Sequence, residues 1–146
     1  MQVRDIMTQP VKTIESSATA HKAAQLMALH DIGALPVSDG GRIVGILTDR
    51  DIVLRCIAQG LDPETTDVQR IMTRDPVVEP PDVPVADAAW RFTSLRIRRL
   101  PIVEGGKAVG MLSSDDVARH WDDDAAVLLM VRRLAPRRRI GGVPVA

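Results

Sequence analysis

The sequence predicts an α+β (α/β-like) fold made of two copies of one unit, each a short β-hairpin held between helices. Three observations predict it. The chain repeats itself: residues 35–51 and 100–116, which lie 65 residues apart, agree at 8 of 17 positions, where average composition would give about one. Most of the other positions are like for like, as in Val37 with Ile102, Arg42 with Lys107 and Thr48 with Ser113. Each copy also sets a glycine pair, Gly40-Gly41 or Gly105-Gly106, between two short apolar runs, which reads as a hairpin. Before each hairpin, apolar residues recur at helical spacing. An internal duplication decides the architecture and implies two equivalent sites, one per copy.

The elements follow in order. Each copy opens on Ile-Met-Thr, at residues 6–8 and 71–73, and then on Pro10-Val11 or Pro76-Val77, where proline favours extended backbone. Ala20, Ala23, Ala24 and Met27 give the first amphipathic helix; Val85, Ala88, Ala89 and Phe92 give its repeat. The strands begin at Leu35-Pro36-Val37 and Leu100-Pro101-Ile102. After the first hairpin a second helix is expected, with Ile52, Val53, Cys56 and Ile57 as its apolar stripe and Gly60 as its stop. Residues 61–67, with Pro63, link the copies. The second copy closes with a helix over residues 114–120. A further helix is expected over residues 125–135, with acids before it and Arg132-Arg133 at its end to complement the dipole. The expected division is residues 1–62, residues 63–124, and a C-terminal helix with a loose basic tail over residues 125–146.

A copy of about 65 residues is marginal alone, so the halves should fold against each other. Aromatics are limited to Trp90, Trp121 and Phe92, so the core must be aliphatic. Formal net charge is zero, which offers no global field to nucleic acid or membrane. The single cysteine, Cys56, excludes an internal disulfide framework and suits a reducing compartment. No apolar run is long enough to span a membrane, no signal peptide is evident, and a cytoplasmic location is expected. An excess of Arg over Lys, 16 to 3, fits a bacterial genome rich in G and C.

The motif that carries chemistry is Gly45-x-x-Thr48-x-x-Asp51, repeated as Gly110-x-x-Ser113-x-x-Asp116. Each lies where a strand ends and a helix begins, a place whose free N–H groups and dipole attract phosphate. The hydroxyl is placed for a phosphate or ribose oxygen, the acid one turn on for a ribose diol, and the glycine for close approach of a ligand to the backbone. The same spacing is also a capping box, which stabilises a helix start by about 1 kcal/mol with no ligand at all. Two copies in matching places favour nucleotide binding, and the capping alternative stands beside it.

On these motifs and the paired Leu-Pro-Val/Ile strands, the chain resembles a tandem pair of cystathionine β-synthase (CBS) domains, a Bateman module, from Val3 to about His120. The run from His30 to Pro36, with Leu47 to Asp51, most resembles stand-alone bacterial pairs of the hypoxic-response type, which implies a role in stress. The resemblance implies two βαββα units about a pseudo-twofold axis, with facing sheets and two clefts between them. It implies an adenosine-containing ligand: AMP, ADP, ATP, S-adenosylmethionine or NAD, with no cofactor required. Thr48 and Ser113 would touch ribose or phosphate, and Asp51 and Asp116 would hold ribose hydroxyls. Val11 and Val77 would line the adenine pocket, with Val37 and Ile102 nearby. Relatives that bind phosphate often carry a basic residue two positions before the strand proline. Arg99, backed by Arg98, holds that place in the second copy, whereas the first has Ala34 and Gly33, so unequal clefts are expected.

Other signals carry less. Cys56 falls on an apolar stripe and reads as a buried structural thiol. His21, His30 and His120 lack metal-ligand spacing, and no nucleophile elbow or triad order is present, so neither a metal site nor a catalytic residue is assigned. Trp90 lies about 140° around its helix from Val85, where the first copy has Gln25, and reads either as a homodimer contact or as a residue packed under the C-terminal helix. Arg132, Arg133, Arg137, Arg138 and Arg139 form a basic cluster without the interleaved aromatics of a nucleic-acid binder, and read as a solubilising tail. The expectation is a non-enzymatic sensor, dimeric, acting on an unidentified protein target. The alternative is a ligand-independent dimeric adaptor.

Overall fold

A computed structural model of the chain describes residues 1–136; the proposed basic tail from Arg137 onward lies outside them. The two copies fold alike. In the first, β1 (Ile14–Glu15) leads to α1 (Ala20–His30), a hairpin of β2 (Ala34–Asp39) and β3 (Arg42–Thr48), and a helical run that begins as α2 (Asp49–Asp51). After α3 (Val68–Ile71) and β4 (Thr73–Arg74), the second copy repeats the plan with α4 (Val85–Leu95), β5 (Arg99–Glu104), β6 (Lys107–Ser113) and α5 (Ser114–His120), and α6 (Asp124–Leu134) follows.

The duplication is visible in the backbone. Both hairpins turn on glycine pairs at positive φ, +57° and +84° at Gly40-Gly41, +58° and +80° at Gly105-Gly106, which suits the twist of the flanking strands. Leu35 pairs with Leu47 and Leu100 with Leu112, and each hairpin shifts register at the same place, after Val37 and after Ile102. Both first helices end on a residue in the left-handed region, Asp31 and Arg96.

The cores show a relationship that periodicity does not reveal. Val3, Ile6 and Met7 belong to the second copy's core, with Val85, Phe92, Leu100 and Leu112, while Val68, Ile71 and Met72 belong to the first copy's core, with Leu35, Leu47 and Cys56. Backbone bonds hold the exchange in place. Val3 N–H donates to the Val83 carbonyl at 2.9 Å, and Val68 N–H to Ala18 at 2.8 Å. Thr8 pairs with Met111 just as β4 pairs with β3, so each copy's opening segment edges the other copy's hairpin. The units also meet where Ile43 N–H donates to the Gly106 carbonyl at 3.0 Å.

Glycine in the repeated motif has a reason other than the one expected. A Cβ on Gly45 would run into the side chain of Met72, and a Cβ on Gly110 into that of Met7. The space at these strands is filled by the exchanged methionines, not kept for a ligand.

The second helix of the first copy departs from its expected stripe. Beyond α2 the chain winds as a π-helix over Ile52–Ile57, with Ala58 N–H donating five residues back to Val53 at 2.8 Å. The wider turn alters which residues share a face. Ile52 and Cys56 are buried, but Val53 and Ile57 are 55% and 53% exposed. Gly60, at φ +72°, ends the run as expected. Phe92 is the one fully buried aromatic among the described residues, and the rest of the core is aliphatic with methionine. No helix among the described residues is long and apolar enough to cross a membrane.

Candidate functional site

The exchanged N-terminal segment forms one wall of a cleft of about 380 Å³, a size that suits a small-molecule ligand. Thr8, Pro10, Val11 and Lys12 line that wall. Met111, Ser113 and Asp116, at the junction of β6 and α5, also line the cleft, Met111 being paired with Thr8. The chain leaving α1, from His30 to Ala34, and Arg99 at the start of β5 complete the lining. The structure therefore brings together Val11, Arg99, Ser113 and Asp116, residues far apart in sequence.

Both motifs form closed capping boxes. Thr48 N–H donates to Asp51 Oδ2 at 2.9 Å and Asp51 N–H to Thr48 Oγ1 at 3.1 Å. In the second copy Ser113 N–H donates to Asp116 Oδ2 at 2.8 Å, Asp116 N–H to Ser113 Oγ at 3.1 Å, and the Ser113 hydroxyl to the same Oδ2 at 2.6 Å. The hydroxyl and acid thus cap the helix in both copies. Capping uses only one carboxylate oxygen, and Asp116 Oδ1 has no hydrogen-bond partner among the described residues. Asp51 differs, because its Oδ1 stands 3.5 Å from Nη2 of Arg55.

Several expected site residues lie elsewhere. Val37 and Ile102 are fully buried, one in each core, since their strand positions point inward and leave nothing for a ligand to touch. Val77 is 37% exposed and does not line the cleft that holds Val11. Arg98 turns away from the cleft, its Nη2 donating to the Leu134 carbonyl at 2.7 Å while Arg96 reaches the Arg133 carbonyl at 3.2 Å. These two arginines cap the C-terminus of α6, where cations are favoured. Arg99 alone of the pair reaches the cleft.

Lys12 and His30 also line the cleft, and sequence reading passed over both. Lys12 carried a signal, since the residue 65 positions on, in the second copy, is the uncharged Val77. His30 is exposed at the end of α1. Cys56 is buried, its thiol 3.6 Å from the Leu61 carbonyl. Among the described residues no three His, Cys, Asp or Glu side chains are grouped to hold a metal.

Trp90 is 64% exposed, so α6 does not cover it. It stands at the rim of a groove with Trp121, Leu129, Met130 and Arg133, and Leu128 and Val131 of α6 are exposed as well.

Comparison with known proteins follows this geometry closely. The CBS domain family model matches residues 3–57 and 68–123. CBS domain-containing protein YhcV of Bacillus subtilis (strain 168) is 41% identical over 116 residues, covering 80% of this chain and 82% of the relative. The crystal structure of Hypoxic Response Protein I with two coordinated zinc ions superposes with a TM-score of 0.74 at 36% identity, over 82% of this chain and 98% of that one. The CBS domain pair of protein MJ0100, solved with 5'-methylthioadenosine and S-adenosyl-L-methionine, superposes at 0.74 with 31% identity, over 82% and 94%.

Proposed function

The chain belongs to the CBS-domain family, with two copies in tandem, and from that premise we propose a non-enzymatic sensor that binds a phosphate-bearing adenosine derivative in the cleft beside Asp116. One observation carries the reading: Asp116 and Ser113 share a single cleft with Lys12 and Arg99. An acid suits a ribose diol, and two cations across the same space suit phosphate. Val11 and Ile32, on the cleft's walls, offer apolar surface to a base. The adenosine ligands in the MJ0100 pair support the ligand class. Their phosphate-free chemistry differs from what Lys12 and Arg99 suit, so AMP, ADP and ATP fit this chain better than cationic S-adenosylmethionine, with NAD between them.

Occupancy would be passed on by a change in the packing of the copies or of a homodimer. Trp90 and the outer face of α6 supply apolar surface for such a dimer, and the downstream target is a second protein. The likeness to Hypoxic Response Protein I supports a stress role, and the sensor is placed in the cytoplasm as part of this reading. The rival, a ligand-independent adaptor, is favoured by the two capping boxes, which are complete without a ligand.

Thermal shift separates the two. A ligand at a hundred times its Kd adds about 2.7 kcal/mol, which raises the midpoint by roughly 5–10 °C for a chain of this size. AMP, ADP or ATP should do so, and Asp116→Ala should remove the shift. A flat response to every adenosine derivative favours the adaptor.

A further inference from the structure

The two clefts of a duplicated fold should be alike, yet one side chain sets them apart. Arg55 has no arginine counterpart: the residue 65 positions on is His120, which is exposed and makes no hydrogen bond to Asp116 among the described residues. The Arg55 guanidinium makes three contacts. Nη2 stands 3.5 Å from Asp51 Oδ1, and Nη1 donates to the Ile71 carbonyl at 3.1 Å and to Thr73 Oγ1 at 3.2 Å. Each partner is the repeat of a residue at the open cleft or beside it: Asp51 of Asp116, Thr73 of Thr8, and Ile71 of Ile6.

We infer that Arg55 is a resident cation that closes the first cleft, so that each chain takes one nucleotide, at the Ser113–Asp116 cleft alone. The inference rests on the reading of that cleft as a nucleotide site. Arg55 engages the carboxylate oxygen that a ribose diol would need, and it reaches from the helix mouth to Thr73, the repeat of the cleft-lining Thr8. A ligand entering there must break charge-assisted bonds before making its own. The π-helical winding belongs to the same copy; α5, its counterpart, is an ordinary α-helix with the smaller His120 at this position. The first copy's cleft also has Val77 at the position where the second has Lys12. Arg55 is therefore a specificity-determining residue that sets how many ligands a chain holds.

Isothermal titration calorimetry with AMP, repeated with ADP and ATP, tests this. The wild type should bind one per chain. Arg55→Ala, and Arg55→Gln as a second variant that keeps a polar side chain, should each bind a second, with the original site unchanged within about twofold. Asp116→Ala should bind none, and Asp116→Ala/Arg55→Ala should regain one, which assigns the new site to the first cleft. Two sites of comparable affinity in the wild type overturn the inference and leave the sensor reading intact. So does a single site in both Arg55 variants, or a tenfold loss at the original site, which would make Arg55 a ligand contact instead. No binding of any of the three nucleotides to any of these proteins overturns the sensor reading and this inference together.

Discussion

Met72 lays its thioether against the bare Cα of Gly45, in the strand of the opposite copy, and Met7 does the same at Gly110. The two contacts differ in what surrounds them. A methyl group at Gly45 would also lie 2.9 Å from the Thr73 carbonyl oxygen, which is backbone paired into the sheet, whereas at Gly110 the three nearest atoms all belong to the flexible Met7 side chain. Gly45→Ala should therefore cost about 1–3 kcal/mol, and Gly110→Ala distinctly less. Urea denaturation of both variants, read by far-UV circular dichroism, checks the order.

Val3 is fully buried in the second copy's core while Arg4 beside it is exposed. Val3→Ala should destabilise the protein by about 2 kcal/mol, and Arg4→Ala by less than about 0.5 kcal/mol. The Val3 effect should appear in one cooperative transition for the whole chain, because each core borrows from the other copy. Two separated transitions by calorimetry would contradict that coupling.

Arg98 and Arg99 are neighbours with different employments. Arg98→Ala should weaken the end of α6 by about 0.5–1 kcal/mol and leave AMP affinity within about twofold. Arg99→Ala should leave stability nearly unchanged and lower AMP affinity about tenfold or more, the loss of a charge-assisted hydrogen bond. Paired thermal melts and titrations of the two variants measure both effects.

Lys12 should discriminate phosphates. Lys12→Ala is expected to weaken ADP and ATP about tenfold or more and to leave adenosine unaffected, because adenosine carries no charge for the ammonium to meet. Competition titrations with the three compounds read this directly.

Trp90 exposes most of its indole beside the apolar outer side of α6. Trp90→Glu should convert the proposed dimer to a monomer, seen as a halved mass by light scattering, with melting little changed. A dimer that persists would place the interface elsewhere.

Much of this was legible from the chain. Repeated glycine pairs, helical spacing at Ala20 to Met27 and Val85 to Phe92, and the strand prolines predicted hairpins and helices that the structure contains. Local chemistry writes such features into neighbouring residues. The exchange of Val3 and Val68 between cores was hidden, since a contact between distant segments leaves no period in either one. The stripe through Val53 and Ile57 failed because a π turn changes the angle between successive side chains, and spacing rules assume 3.6 residues per turn. Ser113, Asp116, Arg99 and Val11, which the repeated motif or likeness to a family singles out, line one cleft. Lys12 lies outside the repeated motif, so the repeat does not point to it. Arg98 was misplaced because its partner, the end of α6, lies 36 residues away.

The crossed packing of the opening segments bears on the order of events during synthesis. Val3 and Met7 leave the ribosome long before Val85, Phe92 and Leu112 exist to receive them. These residues must wait, unshielded, for partners that lie far along the chain. Neither half can be finished and set aside while the other is translated, so the nascent chain stays vulnerable to proteases until both hairpins have emerged.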